Sequence, residues 1–190
     1  ATNLVTGIAT AYMDSIPVVA ITCNVTVPLL GKDSFQEIDI TGVTLPITKH
    51  NFFVTKVENL ADDVREAFRI ARSGRRGPVL VDIPKDVQTA KCEFEPKAPL
   101  PLAEIRKAKE SEIDRAAELI NNAKRPYIYI GGGAVGAELG EEIMALAEKI
   151  DAVIGCSLMG LTGVPSDYER FLGLQGMHGH YASSAAQHSA

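Results

Sequence analysis

Apolar positions along the chain fall into two patterns, short continuous runs and stripes of 3.6-residue period, and the two alternate. Leu4, Val5, Ile8, Ala9 and Tyr12 form an i, i+4 stripe, which predicts a helix over residues 2–14 with Thr2 or Asn3 as its N-cap. Pro17 closes it, and Val18-Val19-Ala20-Ile21-Thr22-Cys23 reads as a strand covered on both faces. Residues 24–32 read as a loop broken by Pro28 and Gly31. A short helix follows from about Asp39 to Leu45, ended by Pro46, and then a strand from Asn51 to Val54. Val57, Leu60, Ala61, Val64, Phe68 and Ala71 fit the helical template closely, with Gly74 at the C-terminal cap position. Their Val, Leu and Phe side chains are expected as buried anchors of about 1.5–3 kcal/mol each before entropy is counted. Pro78-Val79-Leu80-Val81-Asp82-Ile83-Pro84 is a third apolar run, with an acid inside it. The strand–helix–strand order predicts parallel pairing, with ligands near the strand carboxyl ends.

From residue 93 to 110 the pattern lapses into a polar stretch with three prolines, which reads as a semi-rigid linker. Periodicity returns with Ile113, Ala116, Ala117 and Ile120, a helix whose expected N-cap is Ser111. A strand at 126–130 runs into Gly131-Gly132-Gly133-Ala134-Val135-Gly136. A helix carrying Leu139, Ile143, Leu146 and Ile150 comes next, then a strand at 152–156. The fold class expected is α/β, with two parallel-sheet domains: 1–92, a linker at 93–108, and 109–190 with a Rossmann-like βαβ start.

Composition narrows the classes of function only a little. The 190 residues are 46% hydrophobic and 23% charged, as in ordinary globular chains. A net charge of −5 argues against a nucleic-acid partner. No apolar run reaches the roughly 20 residues that span a bilayer, and no basic-then-apolar leader opens the chain. The three cysteines, Cys23, Cys92 and Cys156, are far apart and without metal-type spacing, so reduced structural thiols are expected. The chain opens at Ala1-Thr2-Asn3 almost directly in a helical pattern and ends at Gln187-His188-Ser189-Ala190 without a stop signal, which reads as a piece of a longer protein.

Candidate chemistry concentrates in four places. Residues 33–51, DSFQEIDITGVTLPITKHN, gather an amide, acids, a Lys and a His between two predicted strands. Gly131-x-Gly133-x-x-Gly136 partly meets the dinucleotide fingerprint, since glycines admit a ligand close to the backbone and a helix N-terminus attracts phosphate. A tight βα turn without a ligand fits the same residues. Gly176-Met177-His178-Gly179-His180 reads as a backbone turn against a cofactor or as a surface turn. Its two histidines lack a third ligand at useful spacing, so no metal is expected there. Arg75 and Arg76, ahead of the third strand, suit either a helix C-terminus or an anion clamp. Lys85 stands at a strand end, either solvated or at a site edge. There is no Ser-His-Asp, Cys-His or paired-carboxylate arrangement, and no P-loop.

Ser34-Phe35-Gln36-Glu37, Ile47-Thr48-Lys49-His50-Asn51, Ser73 to Val87, the triple glycine and Leu174-Gln175-Gly176-Met177-His178-Gly179, in that order and spacing, resemble the large catalytic subunit of acetolactate synthase (acetohydroxyacid synthase). The resemblance covers essentially the whole chain. It implies a thiamine-diphosphate enzyme of branched-chain amino-acid biosynthesis. Such an enzyme decarboxylates pyruvate and condenses it with a second pyruvate or with 2-ketobutyrate. It further implies thiamine diphosphate with Mg²⁺, a largely structural FAD, a cytoplasmic homodimer or homotetramer, and in some cases a small regulatory subunit. Residues 1–92 then match the later part of the pyrimidine-binding domain, and residues from 109 the first part of the central FAD-binding domain. By the same resemblance Phe35 and Gln36 line the reaction site, Lys49, Lys85 and Thr26 lie along the substrate channel, and Arg75 contacts FAD. Gly131, Gly132, Gly133, Leu158, Met159, Gly176, Met177, His178 and Gly179 would cradle the flavin nucleotide. The family's catalytic glutamate and its diphosphate–Mg²⁺ motif have no counterpart here, so the chain alone is expected to be inactive.

The sequence departs from the family pattern at three points. The common Thr-Gly-Gln-Val-Pro reads Thr22-Cys23-Asn24-Val25-Thr26, the usual Pro after the first Arg is Arg76, and Ser184 stands for a frequent Asn. Two other readings remain: a different flavin-bearing thiamine-diphosphate enzyme such as a pyruvate oxidase, and a non-catalytic nucleotide-binding module.

Overall fold

The computed structural model describes residues 1–102 and 107–190, which form two compact α/β units, residues 1–105 and 106–190. Residues 103–106 of the predicted linker lie outside the described residues. The linker's residues 93–102 and 107–108 form no regular element, and the next helix starts at Glu110.

In the first unit three parallel strands, β1 (Val19–Asn24), β2 (His50–Phe53) and β3 (Val79–Pro84), lie in the order β1-β3-β2. The parallel pairing expected from the alternation is present. β3 is central, and all six of its residues are buried, Asp82 among them. Alternate residues of β3 serve the two faces. Val79, Val81 and Ile83 pack against Ala67 and Ala71 of α3 (Val57–Arg72), while Leu80 meets Ile8 of α1 (Val5–Met13) and Ile40 of α2 (Ile40–Thr44). α3 ends where its sequence demands: Gly74 takes φ +56°, a left-handed value that costs glycine little. One expected anchor is misplaced, for Phe68 is 54% exposed and the small residues Ala67 and Ala71 make the close helix–sheet contact instead. α4 (Lys85–Thr89) follows β3 directly.

The second unit begins with α5 (Glu110–Asn121). Its cap is Lys109 rather than Ser111, because the Glu112 carboxylate reaches back to the Lys109 N–H at 2.8 Å. The Ile113 side of its stripe stays exposed. The parallel sheet β4 (Tyr127–Ile130), β5 (Val153–Cys156) and β6 (Phe171–Leu174) has the order β4-β5-β6. Between β4 and β5 run a five-residue helix α6 (Gly132–Gly136) and α7 (Gly140–Lys149), separated at Glu138, whose φ is +57°. Ile143, Met144 and Ala147 of α7 cover Ile130, Ile154 and Cys156. Two elements were not legible beforehand, β6 and the helix α8 (Tyr181–His188). β6 carries an extra residue against β5, centred on Gly173 with φ +80°. A Cβ there would come within 2.7 Å of the His180 ring, so glycine both bends the strand and seats the start of α8.

Candidate functional site

In each unit, the loops that leave the carboxyl ends of the parallel strands are where chemistry-bearing residues collect, as open α/β sheets dictate. In the first unit the segment after β1 holds Thr26 and the loop 31–38, and the segment after β3 holds Lys85 and Asp86. Asp82 organises this edge. It is 1% exposed, and its carboxylate accepts from the Thr22 hydroxyl at 2.7 Å and the Asn24 amide at 2.8 Å. The same Asn24 amide donates to the Ile38 carbonyl at 3.2 Å, which fastens the 31–38 loop to the sheet. Asp86 accepts the Val27 N–H at 3.1 Å and so pins the Thr26 segment beside α4.

Phe35 and Gln36 project from this edge. Phe35 is 88% exposed, and Gln36 sits at φ +58°. Glu37 folds back beneath them and accepts from the N–H groups of Gly31 and, at 2.9 Å, Ser34. Those N–H bonds, Ser34 first, hold its carboxyl below the usual glutamate value.

Lys49 and Arg75 are placed elsewhere. Each precedes a strand and so lies at the amino edge of the sheet. Lys49 donates to the carbonyls of Ile70 and Ser73 at the end of α3, and its stem packs at Gly77, where a Cβ would lie 3.2 Å away. Burial, with Arg69 nearby, pushes its ammonium below the usual lysine value. Its neighbours in the Ile47–Asn51 motif are braces too. Thr48 donates to the Thr44 carbonyl at 2.9 Å and Asn51 to the Thr41 carbonyl at 3.0 Å, both on α2. Arg75 donates to the Ser15 hydroxyl at 2.9 Å and the Met13 carbonyl at 3.4 Å.

In the second unit three segments share the carboxyl edge: Gly131–Gly133 after β4, Ser157-Leu158-Met159 after β5, and Gly176–Gly179 after β6. Backbone bonds join them side by side, Ser157 N–H to Ile130 O and Gln175 N–H to Cys156 O, each 2.9 Å. A Cβ on Gly132 would come within 3.2 Å of the Met159 Cβ, whereas nothing lies within 4 Å of one on Gly133 or Gly176. These two positions therefore leave backbone bare to a ligand. Leu158 and Met177 stand 69% and 93% exposed beside it, an apolar rim for a planar ring. α6 has only five residues, so helix-dipole attraction for phosphate is short-ranged here and the bare backbone is the stronger feature. The rear of this edge is held by Tyr127, whose hydroxyl donates to Gln175 at 3.1 Å and lies 3.0 Å from the Ser183 hydroxyl.

Among the described residues no three His, Cys, Asp or Glu converge. Also among them, no helix is long and apolar enough to cross a membrane. Sequence reasoning missed Glu37 and Asp82 as organisers. The signal for Asp82 was in view, an acid inside a buried apolar strand, while nothing in the local sequence of Glu37 distinguishes a clamp from a surface acid.

Residues 113–190 match the family described as thiamine pyrophosphate enzyme, central domain. Curated relatives cover almost the whole chain. The acetolactate synthase large subunit of Corynebacterium glutamicum is 48% identical over 182 residues, which is 94% of this chain and 29% of the relative. The acetolactate synthase of Mycobacterium leprae is 47% identical over 98% of this chain and 30% of its own. The isozyme 2 large subunit of Escherichia coli is 45% identical over 98% and 34%. The chain thus spans about a third of the length of the relatives it matches.

Proposed function

We propose, from the premise that this chain belongs to the acetolactate synthase large-subunit family of thiamine pyrophosphate enzymes, that it forms part of such a synthase. The whole enzyme would condense two 2-ketoacids, pyruvate with pyruvate or 2-ketobutyrate, with loss of CO₂. Thiamine diphosphate, bound with Mg²⁺, would supply the electron sink for decarboxylation. This chain's part is to present Phe35 and Gln36 to the reacting side, with Thr26 and Lys85 bordering the approach of the ketoacid. The first unit then stands as the pyrimidine-domain portion, and the second as the FAD-binding portion. The edge formed by Gly131–Gly133, Leu158, Met159 and Gly176–Gly179 would hold the FAD nucleotide. Lys49, expected along the channel, donates to two carbonyls at the end of α3. The setting is cytoplasmic and homo-oligomeric, with a small regulatory subunit as a further partner.

The observation that carries this reading is that Ser34–Glu37, Lys85, the triple glycine and Gly176–Gly179, all parts of the family resemblance, follow the carboxyl ends of strands in their own sheets, where α/β folds bind ligands. Titration of FAD into the purified chain tests it, followed by flavin fluorescence beside Gly133→Val. Saturable quenching that weakens at least about tenfold in the variant, the effect of about 1.4 kcal/mol, is expected. Quenching that is absent, or indifferent to the variant, removes the flavin assignment. With pyruvate, thiamine diphosphate, Mg²⁺ and FAD supplied together, the chain alone is expected to form no acetolactate.

A further inference from the structure

The loop 31–38 is unusual in how it is held. It contains no regular element, and three of its residues, Gly31, Asp33 and Gln36, take left-handed backbone with φ of +70°, +51° and +58°. Two of these are not glycine, so the loop needs outside bonds to keep its shape. It displays a phenylalanine that is 88% exposed, with no packing of its own to fix it. A backbone bond from Glu37 N–H to Ser34 O at 3.0 Å closes the turn, and the Glu37 carboxylate adds two more bonds inside the loop. One carboxylate oxygen of Glu37 accepts from Gly31 N–H and the other from Ser34 N–H, at 2.9 Å, so the carboxylate ties the far side of Phe35-Gln36 back to the start of the loop. The Ser34 hydroxyl adds a bond to the Leu29 carbonyl at 3.0 Å. The closed loop is then fastened to the sheet at one point, Ile38 O, by the Asn24 amide that Asp82 also holds.

We propose that Glu37 is a positioning residue, whose carboxylate closes the 31–38 loop and thereby sets the direction in which Phe35 and Gln36 face the ketoacid. The functional half of this statement rests on the synthase reading above, while the structural half stands without it. An acceptor-only side chain with two oxygens suits the task, because two backbone donors must be met at once. Glutamine keeps one acceptor oxygen and offers a donor where the second should be. Alanine offers neither. Asn24 and Asp82 act one step further back, by fixing where the closed loop sits.

The chain has no tryptophan, so Phe35→Trp installs a single fluorescent reporter at the display position. In that background Glu37→Ala and Glu37→Gln are compared by tryptophan anisotropy, and by amide hydrogen exchange read at Gly31 and Ser34. Thermal melting is measured alongside. Glu37→Ala is expected to lower the anisotropy and to speed exchange at both amides by about tenfold or more. Glu37→Gln is expected to speed only one of the two. The melting temperature should stay unchanged, since the loop adds nothing to the buried core. Exchange and anisotropy that match the parent in Glu37→Ala overturn the proposal. So does a fall in melting temperature that accounts for the loop change, because Glu37 would then be a general stabiliser. None of these readouts needs substrate, thiamine diphosphate or FAD, so a failed flavin titration leaves them untouched, and their failure leaves the family reading standing.

Discussion

Two charged side chains show how one residue's partners decide its work. Lys49 and Glu37 both belong to segments that resemble the family, yet Lys49 is spent on two carbonyls at the end of α3 and Glu37 on two N–H groups of an exposed loop. For Glu37 the bonds to Ser34 and Gly31 lower the folded carboxyl below its ordinary value, and no charged side chain contributes. A depressed carboxyl favours the closed loop above the ordinary glutamate range, and the gain is lost as pH falls through the lowered folded value. The tryptophan anisotropy of Phe35→Trp is therefore expected to hold steady from neutral pH down through the ordinary glutamate range and to drop below it. The Glu37→Gln partner, with nothing to titrate at that position, should show no such step. A drop at or above the ordinary value would contradict the clamp. Residues of this kind are where the sequence was least legible: Phe35, Gln36 and Glu37 were marked as a motif, but which of them faces outward and which folds under depends on φ values that a string of letters does not carry.

At the scale of elements, β3 is the member on which the first unit depends. Its apolar run, the parallel order and the helix α3 with its Gly74 terminus were all readable, because each follows from local periodicity and backbone preference. Asp82 was readable only as an anomaly. Its meaning comes from register, which sets Thr22 beside Asp82 on the neighbouring strand and Asn24 one step beyond on the same face. Removing the carboxylate leaves two donors without their acceptor in a mostly buried place. Asp82→Ala is therefore expected to destabilise the unit by about 2–4 kcal/mol in urea denaturation. Asp82→Asn, which can still accept from Thr22, should cost distinctly less. Equal losses in the two variants would mean that the cavity rather than the bonding matters. β6 and α8 escaped notice because β6 is four residues long with a glycine bulge, and α8 is small and polar in composition, so neither shows a clear period.

On the scale of the whole chain, surface apolarity stands out. β1 is an edge strand, and Ile21, which alternates outward on it, is 55% exposed, while Ile113 and Leu119 of α5 are 56% and 67% exposed. Open strand edges and apolar patches favour association. Concentration-dependent self-association of the isolated chain is expected in sedimentation velocity. Ile21→Lys should weaken it by about tenfold or more, the scale of one buried aliphatic side chain. No change in the variant would move the contact away from β1.

The sequence by itself determined the alternation of strands and helices, the two parallel α/β halves, the prolines between them, and the segments that carry the family resemblance. All of these are written in nearest-neighbour terms, where hydrophobic period and the backbone limits of Gly and Pro act over a few residues. Only the tertiary structure decided which motif residues reach the carboxyl edges. It put Phe35, Gln36, Thr26 and Lys85 there, sent Lys49 and Arg75 to the amino edge, and made Thr48 and Asn51 braces of α2. The physical reason is that a side chain's role is set by the hydrogen-bond partners within about 3 Å of it. For Asp82 and Asn24 those partners lie 58 residues apart in the chain, a distance that no local pattern spans.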